Sequence, residues 1–164
     1  MERISNFFTR LGFPLRNSRW SWGAHSALGV LLTTWTDDLD DDGNFVRVLG
    51  WKSGAPRNPS PGRDERIDHL RALWSGGLPG YVVIATAKDV GARTRAIGSY
   101  DETTVRAIMA LEAQPDGSIW AELGDEVPVK RLRKHATQFR LDPADGPFPI
   151  ERHTAKRGPK PSTA

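Results

Sequence analysis

The sequence predicts an α+β fold: a small curved or barrel-like, mostly antiparallel sheet carrying two or three helices. Three observations predict it. Short runs rich in β-branched and aromatic residues recur from residue 27 onward, separated by Asp-Gly and Pro-Asp-Gly turn signals. One amphipathic helical pattern stands between the first such runs and the most apolar one, where a crossover would lie. A chain of 164 residues with 38% hydrophobic content fills a single core. The expected division is a binding domain at 1–140 and a flexible basic tail at 141–164.

Each element has its own reason. Ile4, Phe7, Phe8 and Leu11 recur at helical spacing over residues 2–11, and Gly12 and Pro14 end the pattern. Residues 14–26 read as an aromatic, basic loop. Residues 27–36 read as a strand. An acidic turn ends in Asp42-Gly43, and residues 44–51 alternate as a returning strand, so these two runs predict a hairpin. A Pro/Gly/Ser loop over 52–62 leads to a helix over 63–74, with Ile67, Leu70, Leu73 and Trp74 on one face and Gly76-Gly77 as its cap. Residues 80–88 form a continuous apolar run, the mark of a central strand, and 95–100 suit a short one. Residues 104–113 alone suit either helix or strand. The turn at Pro115-Asp116-Gly117, followed by 118–123, favours a hairpin. Residues 127–139 suggest a short basic helix. Beyond 141, Pro, Gly and charge dominate.

The charge is unevenly placed. The chain is net +3, with 23 basic and 20 acidic residues. The last fourteen residues hold Arg152, Lys156, Arg157 and Lys160 against Glu151, leaving 19 of each sign before them. A neutral body excludes the uniformly basic surface of a non-specific nucleic-acid coat. Any polyanion must be met by a local patch. Arg16, Lys52 and the run Lys130, Arg131, Arg133, Lys134 are the candidates for backbone phosphate, with a solvated surface as the competing reading.

Catalytic chemistry finds little support. His25, His69, His135 and His153 stand at no metal-ligand spacing, and the chain has no cysteine. Neither a P-loop, a G-x-G-x-x-G nor a G-x-S-x-G occurs. The acids at Asp37, Asp38 and 40–42 lack the order and terminal Glu of an EF-hand loop. Lys88-Asp89 inverts the order expected of a nuclease strand. The expectation is a binding protein that is not an enzyme and has no cofactor and no metal. No run approaches the roughly 20 apolar residues of a membrane span, so a cytoplasmic location is expected.

The unusual segment is residues 16–24, RNSRWSWGA. In an extended chain Trp20 and Trp22 would share one side and Arg19 and Ser21 the other. Paired indoles beside Asn17, Arg19 and Ser21 suit stacking on a planar ring, with polar groups left to read its edge. Core packing of both indoles is the competing reading. Trp51, at a strand end, and Ser99, Tyr100 and Asp101, at a strand–loop junction, complete the candidate ligand-binding residues.

The stretch NSRWSWGA at 17–24, LLTTWTDD at 31–38, GYVVIATAKD at 80–89, IGSYDETTV at 97–105 and IWAEL at 119–123 occur together in this order. The order resembles an N-terminal domain found ahead of HNH nuclease domains in bacterial restriction proteins, a PUA-like (EVE/SRA-type) module. The resemblance spans about residues 5–128. It implies a PUA-like sheet and recognition of DNA, including a modified or flipped base, with Trp20, Ser21 and Trp22 near the pocket. No His-Asn-His site is present in these residues, which implies reading or docking without cutting, unless a nuclease partner cuts in trans. A protein-interaction or accessory domain, using the Trp-rich loop as an anchor, is the alternative.

Overall fold

A computed structural model of the chain describes residues 1–50, 60–92 and 95–138, and the backbone of 152–154. The fold is organised around the most apolar run. Gly80–Ala87 forms the strand β4, and both of its faces are covered, which is why it lacks polar alternation. Tyr81 and Val83 point into one apolar layer with Phe7, Phe8, Phe13 and Leu132. Val82 points into the other, with Val30, Leu32, Leu70, Leu73 and Ile108.

The remaining elements wrap this strand. They are α1 (Ile4–Leu11), β1 (Gly23–Ser26), β2 (Gly29–Trp35), β3 (Phe45–Leu49) and α2 (Pro61–Ser75) before it. After it come β5 (Ile97–Tyr100), β6 (Thr104–Ala113), β7 (Ile119–Pro128), α3 (Leu132–Gln138) and β8 (Arg152–Thr154). The sheet runs β1-β2-β4-β6-β7-β3, with β5 also on β4 and β8 on β6. Pairings are antiparallel except β2–β4 and β6–β8. The sheet curls into a half-barrel. Helices α1 and α3 cover one face and α2 the other. The α+β class and the curved, mostly antiparallel sheet are as the sequence predicts.

Three local expectations are corrected. β2 and β3 do not form a hairpin. A strand has two hydrogen-bonding edges, and those of β2 are taken by β1 and β4, so β3 crosses to pair with β7. The acidic connection is shaped for that crossing. Asp40 accepts the N–H groups of Asn44 and Phe45, and Asp37 is held by both terminal nitrogens of Arg95. The loop expected over 14–26 ends in a strand, because Ala27 and Leu28 make a two-residue turn that folds β1 onto β2. The basic segment after 127 is first the end of β7, then a 3₁₀ turn over Val129–Arg131, and the expected basic helix is α-helical from Leu132. The tail at 141–164 lies outside the described residues, apart from the backbone of β8.

Candidate functional site

The loop after α1 is closed by its own polar groups. The N–H of Ser21 donates to the Asn17 carbonyl at 2.9 Å. The Asn17 N–H donates to the Ser21 hydroxyl at 3.0 Å, and the Asn17 amide oxygen accepts the Arg19 N–H at 2.9 Å. Residues 18–20 are therefore a turn, and the alternation expected of an extended chain does not apply to Trp20 and Trp22. Both indoles are half-buried. The indole of Trp22 lies on the first turn of α2, where Gly62 makes room for it: a Cβ there would sit 2.5 Å from its Nε1. Trp20 is held through its backbone, whose carbonyl approaches the same glycine.

Next to this turn, β1 and the middle of α2 enclose a cleft of ≈ 250 Å³. Glu65, Asp68 and His69 form the helical wall, Gly23, Ala24 and His25 the strand wall, and Pro14 and Arg16 the rim. The three helical residues lie three and four positions apart, which puts them on one face. Glu65 accepts a hydrogen bond from the Ser21 hydroxyl through Oε2 at 3.2 Å, while its Oε1 has no hydrogen-bond partner among the described residues. Burial pushes its carboxyl above the usual range, and Ser21 and the nearby Arg16 and Arg66 oppose the shift. Burial, aided by Arg66 and His25, pushes His69 down to about 4, so its ring is neutral at pH 7. The His25 and His69 rings meet edge to face at 6.5 Å.

Arg66 sets this wall against the sheet. Fully buried, its guanidinium donates to the carbonyls of Val48 at 2.7 Å, Trp22 at 2.8 Å and Thr33 at 2.6 Å. Three segments distant in sequence thus converge on one side chain, which also faces the Trp22 ring at 5.9 Å.

The other predicted residues are divided. Arg16 lies on the cleft rim. Asn17, Ser21 and Trp22 hold the turn beside it, and Arg19 is exposed on that turn. Tyr100 and Asp101 stand apart. The Tyr100 hydroxyl donates to the Glu2 carbonyl and its ring packs on Phe7 at 5.1 Å, before and within α1. Asp101 accepts from the N–H and hydroxyl groups of Thr103 and Thr104, which holds its carboxyl below the usual range. Ser99 is exposed in β5. Lys130, Arg131, Arg133 and Lys134 are all exposed, none with an ion-pair partner among the described residues. The Arg133 guanidinium lies against Gly12, two residues before Pro14 of the cleft rim, and beside Leu28 of the β1–β2 turn. Trp51 and Lys52 lie outside the described residues.

No family profile, curated protein or solved structure matches the chain. Among the described residues, no group of three or more His, Asp or Glu is placed to hold a metal ion. Nor is any helix there long and apolar enough to cross a membrane.

Sequence reasoning missed Glu65, Asp68, His69 and His25 as site residues. A signal existed in α2. Gly62, Glu65, Arg66, His69, Leu70 and Leu73 recur at helical spacing and are the buried positions. A search for apolar residues alone passes over that stripe.

Proposed function

We propose that the chain is a nucleic-acid-binding module of the PUA-like kind its sequence resembles. DNA is its partner, and it recognises a base, including a modified or flipped one, in a restriction or defence setting. It supplies recognition, and cleavage belongs to a partner protein. One observation carries this reading: four exposed cations, without ion-pair partners among the described residues, lie on and just before α3, and one of them, Arg133, lies against Gly12 on the segment that leads to the cleft. Unpaired cations release the counterions of phosphates, and a polar cavity beside them can take what the phosphates carry. The carboxylates of Glu65 and Asp68 disfavour a phosphate inside the cleft, so the base enters and the backbone stays outside along Arg16 and α3.

The test is the salt dependence of duplex binding, measured by anisotropy with unmodified, methylated and hydroxymethylated DNA. Replacing Lys130, Arg131, Arg133 and Lys134 by Ala removes at most four phosphate contacts. The slope of log K against log salt then becomes shallower by up to about 3.6. Binding at low salt that is absent for every duplex, or a slope unchanged in the quadruple variant, rejects the proposal.

A further inference from the structure

The cleft has one wall that reads chemistry without side chains. Among the described residues, strand β1 is the last strand of its sheet, and only β2 pairs with it. The hydrogen-bond parity of that pair follows from one contact: the Thr33 N–H donates to the Trp22 carbonyl at 2.8 Å. Register then continues as Gly23 opposite Leu32, Ala24 opposite Leu31 and His25 opposite Val30. In an antiparallel ladder, hydrogen-bonded and non-hydrogen-bonded pairs alternate. Trp22, Ala24 and Ser26 therefore turn their main-chain groups toward β2, and Gly23 and His25 turn theirs away from it. The cleft lies along Gly23, Ala24 and His25.

On that outward edge, which lines the cleft, the Gly23 carbonyl is an acceptor, and the next outward group along the chain, the His25 N–H, is a donor. An acceptor followed by a donor complements an amidine edge, in which an exocyclic amine stands next to an unprotonated ring nitrogen. On the Watson–Crick edge, two bases carry such a pair: adenine and cytosine. The opposite wall removes the ambiguity that a flipped keto base would otherwise leave. Glu65 and Asp68 line it, and a carboxylate only accepts hydrogen bonds. An amino group has a second N–H to offer that wall, whereas a keto oxygen placed there meets negative charge. The volume agrees with one ring system, since ≈ 250 Å³ falls below the roughly 300–1,000 Å³ of pockets that hold drug-sized ligands.

We infer that this cleft binds an amino-substituted purine or pyrimidine ring through the main chain of Gly23 and His25, and discriminates against keto bases. The inference rests on the nucleic-acid reading above for its biological setting, but the recognition itself needs no phosphate.

The test uses the full chain and free nucleosides. Amide shifts of Gly23 and His25 are followed by ¹H–¹⁵N NMR on adding adenosine or cytidine, with inosine and uridine as keto counterparts. The expected result is saturating shifts with adenosine or cytidine, and apparent affinities weaker by about ten-fold or more for inosine and uridine. Besides the imidazole, whose loss His25→Ala shares, His25→Pro deletes an outward N–H on an edge strand, a position where proline is tolerated. It is expected to lose the preference, while His25→Ala, which keeps the N–H, retains it. Equal shifts with keto nucleosides overturn the inference, as does undiminished preference in His25→Pro. So does the absence of shifts at Gly23 and His25 with every nucleoside. If DNA still binds with its salt slope in those cases, the nucleic-acid proposal stands and only the base assignment falls. If His25→Pro does not fold, discrimination among the four nucleosides by the unaltered chain decides alone.

Discussion

Replacing Arg66 by Met asks whether its buried charge holds the fold together or burdens it. The substitution keeps most of the aliphatic stem and removes three charge-assisted hydrogen bonds. At about 1.5–3 kcal/mol each, such bonds sum to roughly 5–9 kcal/mol. The opposing quantity is desolvation, which pushes the guanidinium down to about 10. Holding the proton at pH 7 under that depression costs on the order of 3 kcal/mol. The difference leaves a net stabilisation of roughly 2–6 kcal/mol. A value near the lower half is expected, because the carbonyl of Trp22 keeps the Thr33 N–H as a partner. Urea unfolding followed by tryptophan fluorescence measures it. With slopes of about 1–3 kcal/mol per molar, a loss of about 3 kcal/mol lowers the midpoint by roughly 1–3 M. Arg66→Lys should do no better than Met, since an ammonium does not reproduce a planar fork. A loss under about 1 kcal/mol, or a gain in stability, would refute the reasoning: the burial penalty would then equal or exceed the bonds.

Three further outcomes are expected. Gly62→Ala drives a methyl to within 2.6 Å of the Trp20 carbonyl and of the Trp22 ring; it should cost about 1–3 kcal/mol and shift the tryptophan emission, and an unperturbed spectrum would show that the loop yields freely. His69 has a folded-state value of about 4 against an ordinary 6.5, so between those values the unfolded chain binds more protons. Its contribution to stability is therefore complete above pH 6.5 and is lost as pH falls toward 4, whereas Glu65, shifted upward, works in the opposite direction. The urea midpoint should drop from pH 7 to pH 5, and His69→Gln should remove most of that drop. Asp101→Ala should cost about 1 kcal/mol by freeing the Thr103 and Thr104 groups. It should leave DNA affinity unchanged, and a weaker affinity at constant salt slope would bring this residue back into the ligand site.

The elements that were legible from the sequence are those whose burial is local. The stripe of Phe7, Phe8 and Leu11 and the run at 80–87 announce themselves because neighbours in sequence share one environment. The partnership of β3 was not legible, since adjacency along the chain favours β2 and only the occupancy of β2's two edges excludes it. The twin-indole segment stands out in the sequence, and its polar residues stand beside the cleft. Their work is mostly internal, however: Asn17 and Ser21 spend their hydrogen bonds on the turn, and Trp22 spends its face on Gly62. The helical wall was hidden for a different reason. Glu65, Arg66 and His69 are charged or polar types that ordinarily face water, and only the carbonyls, the hydroxyl and the rings gathered around them explain their burial.

Because β4 is roofed on both sides while β1 lies at the margin of the sheet, the cohesion of the fold and the proposed reading edge reside in different parts of the molecule. Substitutions at Asp68 or Arg16 change the lining and rim of the cleft without touching Tyr81, Val82 or Val83. Editing those peripheral positions therefore puts the architecture beneath at little risk.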